Sequence, residues 1–285
     1  MKKIGISTDG MCDLPAELLA ESDVEVMQFY IHLATGRFLN EVEITSDNVV
    51  EYLASDNTFL RSSVPEPEEC RAYFHALLTR YERVIHITAS DKIGLSYANA
   101  RAALEWMGDD ASRVTLVNSG SISAGLGQMV LLAVTMQRGG NSVSEIVNAC
   151  EAMRRKLAVS FIVPNADYLY RVGYAGPWAK ALCRVFRIRP VLCASEGRLV
   201  LKSFRAGGYE KAVLRYIRGE LRHGRRIDKG RLFITHVGCP AKRLAQVRAK
   251  ADDLCHFDRV TVTKASAVIS SFFGPGSLGV LYVRQ

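Results

Sequence analysis

A chain of 285 residues, 48% apolar and 23% charged, has the makeup of a globular protein with a substantial core, near the size of two modest domains, which excludes a peptide or a disordered chain. Its 37 basic and 29 acidic residues leave a net charge of +8, much of it in Arg215, Arg218, Arg222, Arg225, Arg226, Lys229 and Arg231; with no nucleic-acid motif beside it, this cluster reads as a solvated helix face and loop or a partner surface, and nucleic acid is not an expected partner. No apolar run approaches the roughly 18 residues of a membrane span, so no stable membrane insertion is expected, and the opening Met1 to Thr8 reads as a strand rather than a signal peptide.

In chain order, the pattern predicts a strand over 3–7, an extended segment over 24–33 and a helix over 46–53 with Ser46 as its cap. Ser63-Val-Pro-Glu66 has the form of a capping box ahead of a helix over 68–81. A β-branched strand at 83–88, a helix at 96–107, a strand at 114–117, a long apolar helix at 122–138 and a helix at 142–157 follow. Strands alternating with helices at this spacing imply βαβ units and a parallel sheet. From about 160 the character changes: a strand at 159–163, a Gly/Tyr-rich stretch at 168–177, and a hairpin of 188–192 with 198–202 turning at Ser195-Glu-Gly197. A helix at 209–221, a strand at 231–235, a helix at 242–254 and strands at 259–263 and 278–283 complete the chain. The expected fold class is α/β, with a parallel-sheet N-terminal domain over 1–160 and a smaller mixed α+β C-terminal domain over 161–285.

Four strand-to-helix turns carry small polar residues: Thr8-Asp-Gly10, Ser62-Ser63, Ser90-Asp-Lys-Ile-Gly94 and Asn118-Ser-Gly120. Each alone is an ordinary cap or turn. In a parallel sheet, however, such turns gather at the carboxyl ends of the strands, where helix N-termini suit anions, and four on one edge point to a ligand crevice. Phe273-Gly-Pro-Gly-Ser-Leu-Gly279 is a second glycine-rich loop, either an anion nest or a β-turn before the last strand; it has neither P-loop nor dinucleotide-fingerprint spacing. The six histidines show no metal-ligand pairing; His86 sits within a strand as a core or hydrogen-bonded residue, and His236 after a strand is the better site candidate. Seven cysteines, an odd count without C-x-x-C spacing, favour a reducing cytoplasm over disulfides or a zinc ribbon.

The order of motifs resembles the DegV family of bacterial fatty-acid-binding proteins. Thr8-Asp-Gly-Met-Cys-Asp-Leu-Pro15 is similar to the family's T-D-S-x-x-D-L-P, Ser62-Ser-Val-Pro65 to T-S-Q-P, and Ser90-Asp-Lys-Ile-Gly-Leu-Ser-Tyr97 to S-S-x-L-S-G-T-Y. Asn118-Ser119 with Gly125-Leu-Gly127, Tyr168 to Ala175, Ile188-Arg-Pro-Val-Leu192, Arg205 and Phe272-Phe-Gly-Pro-Gly-Ser-Leu-Gly279 match later stretches in the right order. The resemblance covers nearly the whole chain.

The resemblance implies a long-chain fatty acid held between two α/β domains, tail in the core and carboxylate near the surface, presented to a kinase subunit that forms the acyl phosphate. It implies a carrier rather than an enzyme, with no catalytic residue, no metal and no cofactor beyond the bound fatty acid. Ser62 and Ser63 would bond the carboxylate, with N–H groups near Gly94 and the hydroxyl of Ser96 beside them; Arg205 would stand near the opening, and Phe272, Gly274 and Gly276 at the head-group end. Departures fall at that end: Gly94 stands where the family has serine, Asp91 where it has the second serine, Phe272 where it has histidine, and Val172-Gly-Tyr174 where it has Gly-Gly-Arg. They motivate an alternative, a carrier of a different lipid or small hydrophobic ligand. An enzyme using His236 or Asp9 on a phosphorylated substrate is the reading from a third class.

Overall fold

The computed structural model describes residues 2–56, 60–171, 176–222 and 226–285. The stretch Val172-Gly-Tyr174, with Ala175, His223 and Arg225, lies outside the described residues.

The first half builds a parallel sheet in the order β2-β1-β6-β7, from β1 (Lys2–Asp9), β2 (Val24–Met27), β6 (Tyr81–Thr88) and β7 (Val114–Asn118). The crossovers are α3 (Pro67–Leu78) and α4 (Ser96–Glu105), as the alternating pattern predicts, and α1 (Ala16–Ser22), a helix of seven residues that the pattern does not give. A small antiparallel sheet, β4-β3-β5, is inserted between β2 and α3: β3 (Tyr30–Leu33), β4 (Gly36–Leu39) and, after α2 (Ser46–Asp56), β5 (Arg61–Ser63). The expected single segment over 24–33 is therefore two strands in two sheets. The chain turns between them at Gln28-Phe29, held by Gly10 N–H donating to Met27 O and Asn40 N–H to Phe29 O.

Two predicted caps are also corrected. Ser46 is not the cap of α2; Thr45 is, its Oγ1 accepting from Asn48 N–H while Asn48 Oδ1 accepts from Thr45 N–H at 2.9 Å. Ser63 does not cap α3 but lies in β5; Glu66 takes the cap position, its N–H bonded to Glu69 Oε2 at 2.8 Å, with Pro67 opening the helix.

After α5 (Ser123–Arg138) and α6 (Val143–Arg154), the chain enters a six-stranded mixed sheet in the order β10-β9-β8-β13-β11-β12. Its strands are β8 (Leu157–Ile162), β9 (Ile188–Ser195), β10 (Arg198–Ala206), β11 (Arg231–His236), β12 (Arg259–Lys264) and β13 (Leu278–Val283); only β11 and β12 run parallel. α6 stops short of the predicted 157 because Leu157 already pairs with Val283 in this sheet. α7 (Asp167–Arg171) and α8 (Pro177–Val185) precede the hairpin, α9 (Tyr209–Leu221) and α10 (Ala241–Leu254) cover one face, and α11 (Ala267–Phe273) follows β12.

The apolarity of α5 all round has a simple cause. It lies between the two large sheets, packing on β1 and β6 of one and on β8, β11 and β13 of the other. Leu126, Met129 and Val130 are fully buried in a core that continues into Ile85, Phe161, Phe233 and Phe273. A side chain at Gly125 would meet Val159 Cγ2 at 2.3 Å, so the sheet can approach the helix only because this residue is glycine.

Candidate functional site

A cavity of about 370 Å³, within the size range of ligand pockets, opens between the carboxyl ends of the parallel strands and α11. Its walls are mainly apolar: Met11, Phe29, Ile93 and Ile122 from the first half, Leu199 from β10, and Val268, Ile269 and Phe272 from α11. Phe273 stacks on Phe161 at 4.3 Å and meets Phe272 edge-on at 5.1 Å, which packs the α11 wall onto β8. Ser62, Ser63, Glu66, Ser90, Ser96 and Asn99 supply the polar part.

These polar groups differ in what they have left to offer. Ser90 Oγ donates to Gly197 O at 2.6 Å, tying the first half to the turn of the hairpin. Ser96 Oγ is bonded to both carboxylate oxygens of Asp9, at 2.8 and 2.7 Å. Asn99 Nδ2 donates to Pro65 O at 2.9 Å, stitching α4 to the segment after β5. No described residue bonds the Ser62 hydroxyl, and Ser63 Oγ meets only the ring of His32, Nε2 at 2.7 Å. α4 begins without a side-chain cap, and no described residue accepts from the N–H groups of Leu95, Ser96, Tyr97 or Ala98. The cavity thus has one end where the Ser62 hydroxyl and helix N–H groups stand unclaimed beside Ser63, the donor set an anion needs.

Behind Ser96 lies a buried chain of polar groups. Asp9, wholly buried, accepts from Ala89 N–H at 2.6 Å as well as from Ser96. His86 Nε2 stands 3.3 Å from Asp9 Oδ1 without a hydrogen bond to it, and Nδ1 contacts Ser7 Oγ at 2.9 Å, which meets Tyr73 Oη at 2.7 Å. This arrangement fixes the first turn of α4 to the end of β1. It also turns the Ser96 hydrogen away from the cavity, so Ser96 shows a ligand only lone pairs.

The structure therefore gathers Ser62, Ser63, Gly94, Ser96 and Phe272 on one cavity and leaves three expected residues out of its lining. Arg205 lies on β10, its guanidinium bonded to Ser203 Oγ at 3.1 Å and Phe204 O at 2.8 Å and packed against Gly219. Gly274 closes α11, with its N–H on Ser270 O, and Gly276 N–H is on Val237 O at 2.7 Å. Both glycines have positive φ, 78° and 83°, so the loop is a turn with its N–H groups spent on the backbone rather than an anion nest. Asp91, whose charge would repel a carboxylate, is exposed and lines a separate polar cleft. Asp9 and His236 are not brought together: His236 ends β11, where burial and Lys264 lower its pKa and its Nδ1 accepts from Cys239 N–H. Among the described residues no group of His, Cys, Asp and Glu is arranged to hold a metal ion.

The cavity wall provided by α11 was missed in the sequence, and so was His32. Seven residues reading Ala-Val-Ile-Ser-Ser-Phe-Phe carry no helical periodicity. The acceptors of the helix's first N–H groups come from far away in the chain: Asp13 for Ser266, Glu41 for Ala267 and Asn40 for Val268.

A two-half α/β molecule with an apolar cavity and a donor-rich end has the makeup of a small-molecule-binding protein. The family model described as "Uncharacterised protein, DegV family" matches residues 3–285, and the chain belongs to the DegV family. A DegV domain-containing protein of Deinococcus radiodurans is 29% identical over 278 residues, 97% of each chain; one of Clostridium acetobutylicum is 25% identical over 289 residues, the full length of both. Among solved structures, a DegV family protein from Thermus thermophilus, described by its fatty acid binding, matches with a TM-score of 0.85 at 27% identity over 99% of this chain and 100% of that one. The fold is shared with a DegV family protein from Eubacterium eligens loaded with heptadecanoic acid, TM-score 0.85 at 16% identity, covering 99% of this chain and 100% of that one.

Proposed function

We propose that this chain carries a long-chain fatty acid, tail in the cavity and carboxylate at the end formed by Ser62, Ser63 and the first turn of α4. The observation that carries the reading is the division of the cavity wall: apolar along Met11, Phe29, Ile122, Leu199 and α11, with unclaimed donors at one end. Each buried methylene contributes about 0.8 kcal/mol, whereas a carboxylate left dry and unpaired would cancel several of them. The donors at Ser62, Ser63 and α4 meet that requirement. The Thermus relative supports the ligand class. We read the two large sheets as two domains that divide near residue 160 and meet at this cavity, in a protein working in the cytoplasm.

Resemblance to the family extends the reading to presentation of the carboxylate to a kinase subunit. On that reading the carrier contributes binding and orientation, and its partner contributes the phosphoryl-transfer chemistry. Acyl-phosphate formation from ATP and the loaded carrier, in the presence of a fatty acid kinase subunit, is the expected result; failure of the loaded carrier to support it would remove this part.

A lipid without a free carboxylate is favoured by one feature, Phe272 in the wall with no side chain at Gly94. Ser62→Ala separates the two. Loss of the hydroxyl should weaken fatty-acid retention about 10- to 150-fold, the equivalent of a hydrogen bond to a charged group. Unchanged retention would take Ser62 out of the site.

A further inference from the structure

We propose that His32, standing outside the cavity wall, is a positioning residue that directs the Ser63 hydrogen toward the ligand and makes head-group binding respond to pH. The inference rests on the fatty-acid reading above. Its basis is the contact between His32 Nε2 and Ser63 Oγ at 2.7 Å, with Ser63 on the cavity wall and His32 behind it.

A hydroxyl has one hydrogen to give. When Nε2 carries a proton it donates to Ser63 Oγ, and the Ser63 hydrogen is released to donate to a carboxylate. When Nε2 is bare, Ser63 donates to the ring and turns lone pairs toward the ligand, which repel it. No described residue bonds His32 Nδ1, so the neutral ring is not locked in either tautomer from behind. In the imidazolium form Nε2 always donates; in the neutral ring the donating tautomer competes with the bare one.

The surroundings supply charge but no substitute donor to Ser63. Arg37 of β4 and Arg61 of β5 occupy the paired positions on either side of His32 and share its face of the small sheet. Arg37 is engaged with Glu69 at 3.1 Å, which also accepts from Tyr30 Oη at 2.7 Å, and its guanidinium lies over the Tyr30 ring. Glu66 opens α3 at the cavity edge, and α11, which packs on β3, brings no charged residue. Ser96, Ser90 and Asn99 are committed elsewhere, which leaves Ser63 with Ser62 and the first N–H groups of α4 as the donors of this end.

The test is retention of radiolabelled palmitate between pH 5.5 and 8.5 by the full chain, by Ser63→Ala, by His32→Gln and by His32→Ala. The quantity read is the ratio of each protein to Ser63→Ala at the same pH, which cancels the titration of palmitate and of distant groups. The wild-type ratio should fall several-fold as the pH rises. His32→Gln, whose amide donates at every pH, and His32→Ala, which leaves the Ser63 hydroxyl no competing acceptor, should both keep a raised ratio without the slope. Thermal midpoints compared across the set report folding separately. A wild-type ratio that stays flat, or a slope that survives in His32→Gln, overturns the role of His32 while leaving the carrier reading intact. No palmitate retained by the wild type at any pH takes both down.

Discussion

Gly94 carries the plainest consequence of a single residue in this site. A Cβ added there meets nothing within 4 Å, and the position lines the cavity beside the uncapped start of α4. Its φ is not in the left-handed region, so a side chain is compatible with the backbone. Gly94→Ser should place a hydroxyl at the donor-rich end without strain. Retention of a free fatty acid is expected to rise about 3- to 10-fold, the worth of one additional hydrogen bond, with the thermal midpoint nearly unchanged. Weaker retention would mean that the head group lies elsewhere. Residue-level legibility was uneven for physical reasons. Ser62 and Ser63 stood out only as one of four small polar turns and by their likeness to the family's T-S-Q-P, since hydroxyls ahead of a helix are ordinary caps. Gly274 and Gly276 did not resolve because glycine in a tight turn and glycine in an anion nest look alike until the N–H partners are known. Arg205 was placed by likeness of sequence alone, and a strand residue's outward or inward aim depends on register.

At the scale of elements, α11 decides whether the cavity has a wall. Its first N–H groups are held by side chains of the other half: Asp13 Oδ1 accepts from Ser266 at 2.7 Å, Glu41 Oε1 from Ala267 at 2.7 Å and Asn40 Oδ1 from Val268 at 3.1 Å. Asp13 also accepts from the Ser123 hydroxyl, so one buried carboxyl joins the starts of α11 and α5. Burial outweighs these donors and pushes the Asp13 carboxyl up to about 7, and burial raises Glu41 as well. A carboxyl raised above its ordinary value of 3.8 binds its proton more tightly in the folded protein. Its contribution to stability is therefore fully present at low pH and is lost as pH rises from about 4 to 7. Asp13→Asn keeps an acceptor for Ser266 and reverses the bond to Ser123, its amide now donating to the hydroxyl, but cannot titrate. It should flatten that slope in urea unfolding followed against pH, by a few kcal/mol across the window. An identical slope in the variant would show that Asp13 does not titrate there. Asn40→Ala removes the acceptor for Val268 and the donor to Gly10 O, both buried, and should cost about 2 to 4 kcal/mol in the same assay. The long elements were legible because periodicity and caps are local. α11, β4 and β5 were not, since each is short and held by partners distant in the chain.

Taken whole, the molecule divides its work between a parallel sheet that supplies the polar end and a mixed sheet whose hairpin and α11 supply apolar wall. The alternation of strands and helices made the first sheet legible, and the antiparallel hairpin marked the change of architecture; the cavity between them follows only from their docking through α5. Ser90 Oγ to Gly197 O at 2.6 Å and Lys92 Nζ to Glu196 O at 2.8 Å link the halves beside the site. Ser90→Ala should leave the fold intact and speed ligand release several-fold, measured as the rate at which bound labelled palmitate is chased by unlabelled; an unchanged rate would assign the link to stability alone. The central claim, that the cavity holds a fatty acid by its carboxylate, is tested most directly by mass spectrometry of an organic extract of the freshly purified protein, matched to its native mass. One free fatty acid per chain is the expected result. A stoichiometric lipid without a free carboxylate, or a protein with no bound lipid, would contradict it.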